Sequence, residues 1–209
     1  PDPVRVVGGP FAGPVLTSFG RSVDISSIIM AVGAAASDSG QTFLYQFTGS
    51  EWEELSPLTG VQVRGRFGSD VAVTGDEVLV GASGVWANNT SVPVGVAYYY
   101  QRQVDNTFSQ VGSTLRGDED FFAPLEAFGT SVAASANRRV VIGAPGSNVG
   151  GVVEVGRVYP FEFDVDTQDW IRMQDTPIAG SQNDNLGVAV DISNDGSKFV
   201  VGAPSNGAG

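Results

Sequence analysis

Neither cysteine nor histidine occurs anywhere in this chain of 209 residues. That absence removes disulfides, Cys/His zinc sites, thiol nucleophiles and the Ser-His-Asp triad. It leaves the redox compartment open, because large β folds are secreted without disulfides. Long apolar runs are also missing, so no transmembrane helix, secretory leader or lipidation motif is visible. No stretch carries apolar residues at the i, i+3, i+4, i+7 spacing of an amphipathic helix. Positive charge is scarce too: 11 basic residues face 23 acidic ones, for a formal charge of -12. Such a chain repels nucleic acid and anionic membrane surfaces, so neither nucleic-acid binding nor membrane insertion is expected.

What is present is a globular composition, 42% hydrophobic, with 28 Gly and 11 Pro. Those numbers suit an all-β protein with many turns. The decisive signal is a repeat. Phe19-Gly20, Phe67-Gly68, Phe128-Gly129 and the variant Leu186-Gly187 each open a short alternating strand. A second signature follows each after 13 to 15 residues: Val32-Gly33-Ala34-Ala35, Val80-Gly81-Ala82-Ser83, Ile142-Gly143-Ala144-Pro145 and Val201-Gly202-Ala203-Pro204. Successive marks lie 48, 61 and 58 residues apart, a period that belongs to repeat architectures.

One unit reads as four strands. In the third, Phe128–Ala134 is followed by Arg139–Ile142, Gly156–Phe161 and a strand centred on Trp170–Met173, with Ile178–Gly180 closing it. The divisions are 1–18 (a partial unit or closing strand), 19–66, 67–127, 128–185 and 186–209 (a first hairpin only). The Phe of each mark reads as a plug between adjacent sheets, and the Gly beside it permits close backbone approach or φ > 0. A single four-stranded sheet cannot hide its own face, so several must pack radially.

Phe-Gly-x-Ser-Val-Ala, then Val-Val-Ile-Gly-Ala-Pro, then Gly-x-Val-Tyr and a Trp resembles the FG-GAP repeat, over residues 19–204. That repeat builds the β-propeller of integrin α subunits and of many secreted and surface proteins. The resemblance implies a β-propeller of four-stranded antiparallel blades, about 3.5 to 4 of them here, within a larger seven-bladed ring. The segment Val4-Arg5-Val6-Val7 resembles a third strand that completes another blade, either the fourth one here, closing a four-bladed ring, or one in a neighbouring part of a larger propeller. The chain starts at Pro1 without Met and stops just after a repeat signature, which reads as a processed chain or a fragment.

Several residues are candidate sites. The family's calcium loop has its nearest counterpart in Asp191-Ile192-Ser193-Asn194-Asp195-Gly196, where Asp191, Ser193 and Asp195 supply oxygens for calcium; a plain Asn-Asp-Gly hairpin turn is the competing reading. The acidic runs Asp164–Asp169 and Asp118-Glu119-Asp120 read as solvated turns. Asn88 and Asn89 head overlapping glycosylation sequons in the long loop of unit two. Trp52, Phe108 and Trp170 recur at one repeat position and read as packing, whereas Trp86 has no counterpart and is a surface-contact candidate.

With no recognisable active site, the chain is expected to be a non-catalytic extracellular or cell-surface module for interaction, adhesion or structural assembly. Its partners would be other extracellular proteins, glycans or copies of itself. A calcium-stabilised carbohydrate-binding module and an accessory propeller of a larger enzyme are the alternatives.

Overall fold

The computed structural model describes residues 11–14, 17–36, 39–86, 93–118 and 126–205. Among them there is no helix, and hence none long and apolar enough to cross a membrane. Every sheet is antiparallel. The first orders β1 (Ser22–Ile25), β2 (Ile29–Ala34), β3 (Gln41–Phe47) and β4 (Trp52–Glu54), with β5 (Leu58–Thr59) also pairing β3. The second orders β6 (Phe67–Thr74), β7 (Glu77–Ala82), β8 (Val96–Arg102) and β9 (Phe108–Gln110). The third orders β10 (Ser131–Ala134), β11 (Arg139–Ala144), β12 (Arg157–Asp164) and β13 (Asp169–Arg172), with β14 (Ile178–Ala179) also on β12. A last hairpin pairs β15 (Val190–Ile192) with β16 (Phe199–Val201).

The first strands β1, β6, β10 and β15 lie side by side along the series, so the sheets fan out in a β-propeller-like stack. Apolar side chains fill the wedges between them. Ile29, Ala31 and Leu44 of the first sheet meet Phe67, Val71, Val78 and Val80 of the second. Leu79, Ala97 and Tyr99 of the second meet Phe128, Val140 and Ile142 of the third. Each such side chain taken out of water stabilises by roughly 1.5–3 kcal/mol. Both faces of β7 and β11 are covered, which is why these strands read as near-continuous Val/Leu/Ile runs rather than alternating ones.

The Phe-Gly mark is a turn before it is a strand, which corrects the expected strand start. Ser18, Arg66, Ala127 and Asn185, each just before the mark, all adopt left-handed φ between 52° and 57°. The Gly of each mark also has positive φ, from 81° to 93°. Two left-handed residues within three positions cannot lie in a pleated strand. Instead the N–H groups of Arg21, Ser69, Thr130 and Val188 donate back to the carbonyls of Ser18, Arg66, Ala127 and Asn185 at 2.9–3.3 Å. Regular pairing then starts at Ser22, Ser131 and Val190, while β6 retains Phe67 only through a bulge.

That turn locks one sheet to the next. Gly40, Gly95 and Gly156 form parallel bridges to Phe67, Phe128 and Leu186 of the following sheet. Each Phe ring then packs on the third strand of its own sheet, Phe67 at 5.6 Å from Tyr98 and Phe128 at 5.3 Å from Tyr159. The middle Gly of each second signature lies against the next Phe-Gly: a Cβ on Gly33, Gly81 or Gly143 would collide with the carbonyl oxygen of Gly68, Gly129 or Gly187. Ser22, Ser69 and Ser131 donate their hydroxyls to those same three carbonyls, at 3.2, 2.9 and 2.8 Å. Asp24 and Asp70 accept the Val73 and Val132 N–H groups of the following first strands, at 2.6 and 2.8 Å.

Candidate functional site at the first-strand ends

The four turns share one backbone and differ in two side chains: the residue before the mark and the residue after it. These are Ser18 and Arg21, Arg66 and Ser69, Ala127 and Thr130, Asn185 and Val188. Because the first strands stand side by side, these positions converge. A cavity of about 330 Å³ opens there, lined by Ser18, Arg21, Ala35, Ala36, Arg66, Ser69, Ser83 and Thr130. Six of the eight lining side chains are polar or cationic, and none is acidic.

The cations are unengaged. Among the described residues neither Arg21 nor Arg66 makes an ion pair or a side-chain hydrogen bond, although the chain carries 23 carboxylates. Four other arginines are paired with carboxylates, while Arg64 and Arg116, like Arg21 and Arg66, make no ion pair among the described residues. Arg138 pairs with Glu77, Arg139 with Glu162 at 3.2 Å, and Arg157 and Arg172 both with Asp118. The stem of Arg66 runs along Gly84, whose Cβ position lies 3.0 Å from its Cγ. The hydroxyls are prepared differently. Ser69 Oγ donates to Gly129 O and receives the Ser83 N–H at 3.3 Å, and Thr130 Oγ1 donates to Ala127 O at 2.7 Å, so both present lone pairs. Arg21, Arg66 and the two hydroxyl turns carried no motif in the sequence. Only the repeat, read for its variable positions, could have singled them out.

The other candidates lie apart from this cavity. Asp195 Oδ1 receives Ser193 Oγ at 2.6 Å, Ser197 Oγ at 2.8 Å and Ser197 N at 3.0 Å. Those donors hold its carboxyl down at about 2. Asp191 Oδ1 accepts the N–H of Ile192. Asp191, Ser193 and Asp195 thus lie at a hairpin end where one oxygen of each carboxylate is engaged locally, and no group of three or more His, Cys, Asp or Glu placed to hold a metal occurs among the described residues. The tip also stitches sheets together: Asn194 O accepts Ala136 N–H at 3.0 Å and Asp195 O accepts Asn137 Nδ2 at 2.9 Å. Trp86 is half-buried, its backbone N–H donating to Gln62 Oε1 at 2.7 Å, and it bridges to Pro93. Asn88 and Asn89, and the segment Val4–Val7, lie outside the described residues.

Asp118 is not a solvated loop residue, contrary to the expectation for its acidic run. It bridges Arg157 at 3.2 Å and Arg172, beside a buried group that no motif announced. Glu126, 4% exposed, accepts from Tyr159 Oη and, at 3.3 Å, from Ser147 Oγ. Burial drives its carboxyl up to about 7, outweighing the Tyr159 hydrogen bond and the Arg157 charge that pull it down, with Asp118 adding to the rise. The run Asp164–Asp169 does form an exposed turn, where Asp164 accepts Asp166 N–H and Thr167 Oγ1.

No family model matches the chain, and no curated protein matches it. Among solved structures it is similar to one described as "a putative 6-phosphogluconolactonase" from Bacteroides uniformis, with 11% identity and a TM-score of 0.58 over 87% of this chain. A functionally unknown protein from Desulfotomaculum acetoxidans aligns over 88% of this chain and 62% of its own, at 14% identity and a TM-score of 0.48. The chain spans 49% of the Bacteroides uniformis protein, about half its length. That likeness shows the fold, and it corrects the expectation of a non-catalytic chain. The same all-β architecture carries a protein described as an enzyme, so the missing motifs of Cys and His chemistry do not bar this chain from being one.

Proposed function

We propose that this chain is a segment of an FG-GAP-type β-propeller that works as an interaction module at an extracellular surface, taking its ligand at the axial mouth. The observation that carries this reading is the contrast within the four turns. Their backbone, glycines and apolar plugs (three Phe and one Leu) repeat, while the flanking residues vary and three of the four turns converge on one cavity. A rigid scaffold with variable side chains aimed at a common concavity is the usual build of a recognition site. The test fills the mouth without touching the wedges. Thr130→Trp should abolish retention of matrix polysaccharides and proteins on the immobilised chain and leave its melting temperature within about 2 °C. Retention that survives the plug removes the mouth from the account.

In this reading the first three sheets are complete blades and the last hairpin is the inner half of a fourth, in a ring closed by further blades. The support is burial. Val200 stands where Ala31, Leu79 and Val141 stand in the other units; those three are 0% exposed and Val200 is 65% exposed.

A second reading, hydrolysis of a phosphorylated sugar lactone, comes from the name of the Bacteroides uniformis protein, and the unengaged pair Arg21 and Arg66 favours it because such a substrate is an anion. Release of acid from 6-phosphogluconolactone above the spontaneous rate, lost in Arg66→Ala, would support it; a rate equal to buffer would dismiss it.

A further inference from the structure

We infer that the first-strand cavity is an oxyanion site for an acidic monosaccharide unit, a carboxylate or sulfate ester carried on a hydroxylated ring. The inference rests on the axial-mouth reading and names its ligand. Charge comes first. In a chain of net charge -12, two guanidiniums from adjacent turns face one cavity with no carboxylate partner among the described residues. Guanidiniums present planar forks of donors that match carboxylate and sulfate oxygens.

Placement comes second. Arg21 follows Gly20 at φ 85°, Arg66 itself holds φ 55°, and the Arg66 stem lies on the Gly84 backbone. The same turn that locks the sheets therefore sets where both arginines leave the backbone. Hydroxyls come third. Ser69 and Thr130 have spent their protons on backbone carbonyls and accept only from the ligand side, which suits sugar hydroxyl donors. Ser18 and Ser83 carry no side-chain hydrogen bond among the described residues and remain able to donate or accept. Volume comes fourth: about 330 Å³ is at the small end of ligand pockets, room for one sugar ring rather than a long chain.

The experiment is isothermal titration calorimetry of the whole chain with D-galacturonate, D-galactose 6-sulfate, D-galactose and sodium sulfate. The expected result is binding of one or both acidic sugars at least tenfold tighter than galactose and tenfold tighter than sulfate. Arg21→Ala and Arg66→Ala should each weaken it by tenfold or more at unchanged melting temperature. Preference for galacturonate or for the sulfate ester tells the two sources apart. Galactose binding as tightly as the acids, sulfate alone binding as tightly as the sugars, or no binding at all overturns the inference. In each of those cases Thr130→Trp separates the two claims. If the plug still abolishes partner retention, the mouth reading stands and only its acidic ligand is lost; if retention persists, both fall.

Discussion

Gly143 has no room for a methyl group, because the carbonyl of Gly187 in the next sheet occupies the place a Cβ would take. Gly143→Ala should therefore destabilise by about 1–3 kcal/mol through forced separation of backbones, the usual cost of overpacking. The neighbouring Phe128, 0% exposed, fills the wedge between the second and third sheets, and Phe128→Ala should cost about 3–5 kcal/mol by leaving a cavity. Urea denaturation of both variants checks the order: a Gly143→Ala loss below about 0.5 kcal/mol would contradict the close approach. Two carboxyls, half-buried Asp70 and buried Glu126, give the pH dependence. Burial raises Asp70 to about 6 and Glu126 to about 7. A raised carboxyl pKa favours the protonated native state, so the stability from these groups is complete below about pH 4 and is lost as pH rises through 6 and 7. The melting temperature should thus climb as pH falls from 8 to about 5.5. Glu126→Gln, still able to accept from Tyr159, should flatten the upper part of that climb. Further acidification should reverse the trend, because Asp105, Asp164, Asp169 and Asp195 are held low by hydrogen bonds, from Ser113 for Asp169 and from near neighbours for the others, and must be protonated. A flat profile between pH 8 and 5.5 in the parent protein would contradict the burial of both groups.

At the scale of the element, β11 and β16 are the same strand of the repeat in two settings. Val141 of β11 is buried, whereas Val200 of β16 is open because, among the described residues, no further sheet packs on that face. Leu79→Ala, at the equivalent buried place, should cost about 2–5 kcal/mol, and Val200→Ala should stay within about 0.5 kcal/mol. Equal losses would mean that β16 is covered in solution. The β15–β16 turn carries a second expectation. Since Asp195 Oδ1 already receives three donors, chelation should leave the melting temperature unchanged, and a drop of several degrees with EDTA would restore a cation to Asp191, Ser193 and Asp195. These elements also mark what the sequence disclosed. The second strands were readable because Val-Gly-Ala and its variants combine β-branched residues with a Gly that only a close neighbour explains. The start of the first strand was misread: Phe-Gly looks like strand, but Ser18, Arg66, Ala127 and Asn185 are left-handed, and four residues so unlike in chemistry give no shared turn signal. Glu126 escaped for the opposite reason. A lone Glu beside an acidic run resembles solvated surface until Tyr159, Ser147 and Arg157 are seen around it.

Across the described residues, a scaffold of repeated glycines and aromatics positions a few non-repeated residues, and the acidic chain holds a concavity lined by two arginines without ion pairs. Long-range repulsion from a net charge of -12 should disfavour an acidic polymer more than a single acidic sugar. Raising salt from 50 to 300 mM should therefore narrow the difference in affinity between galacturonate and polygalacturonate, because screening acts first on distant charges. A gap that widens with salt would place recognition somewhere other than this mouth. The most direct measurement of the central claim is an amide NMR titration of the labelled chain with D-galacturonate. The account expects the perturbed residues to be 18–21, 66–69, 83 and 127–130, with the β15–β16 hairpin and Trp86 unmoved. Perturbation centred on Trp86 or on residues 191–200, with these three turns silent, would contradict it.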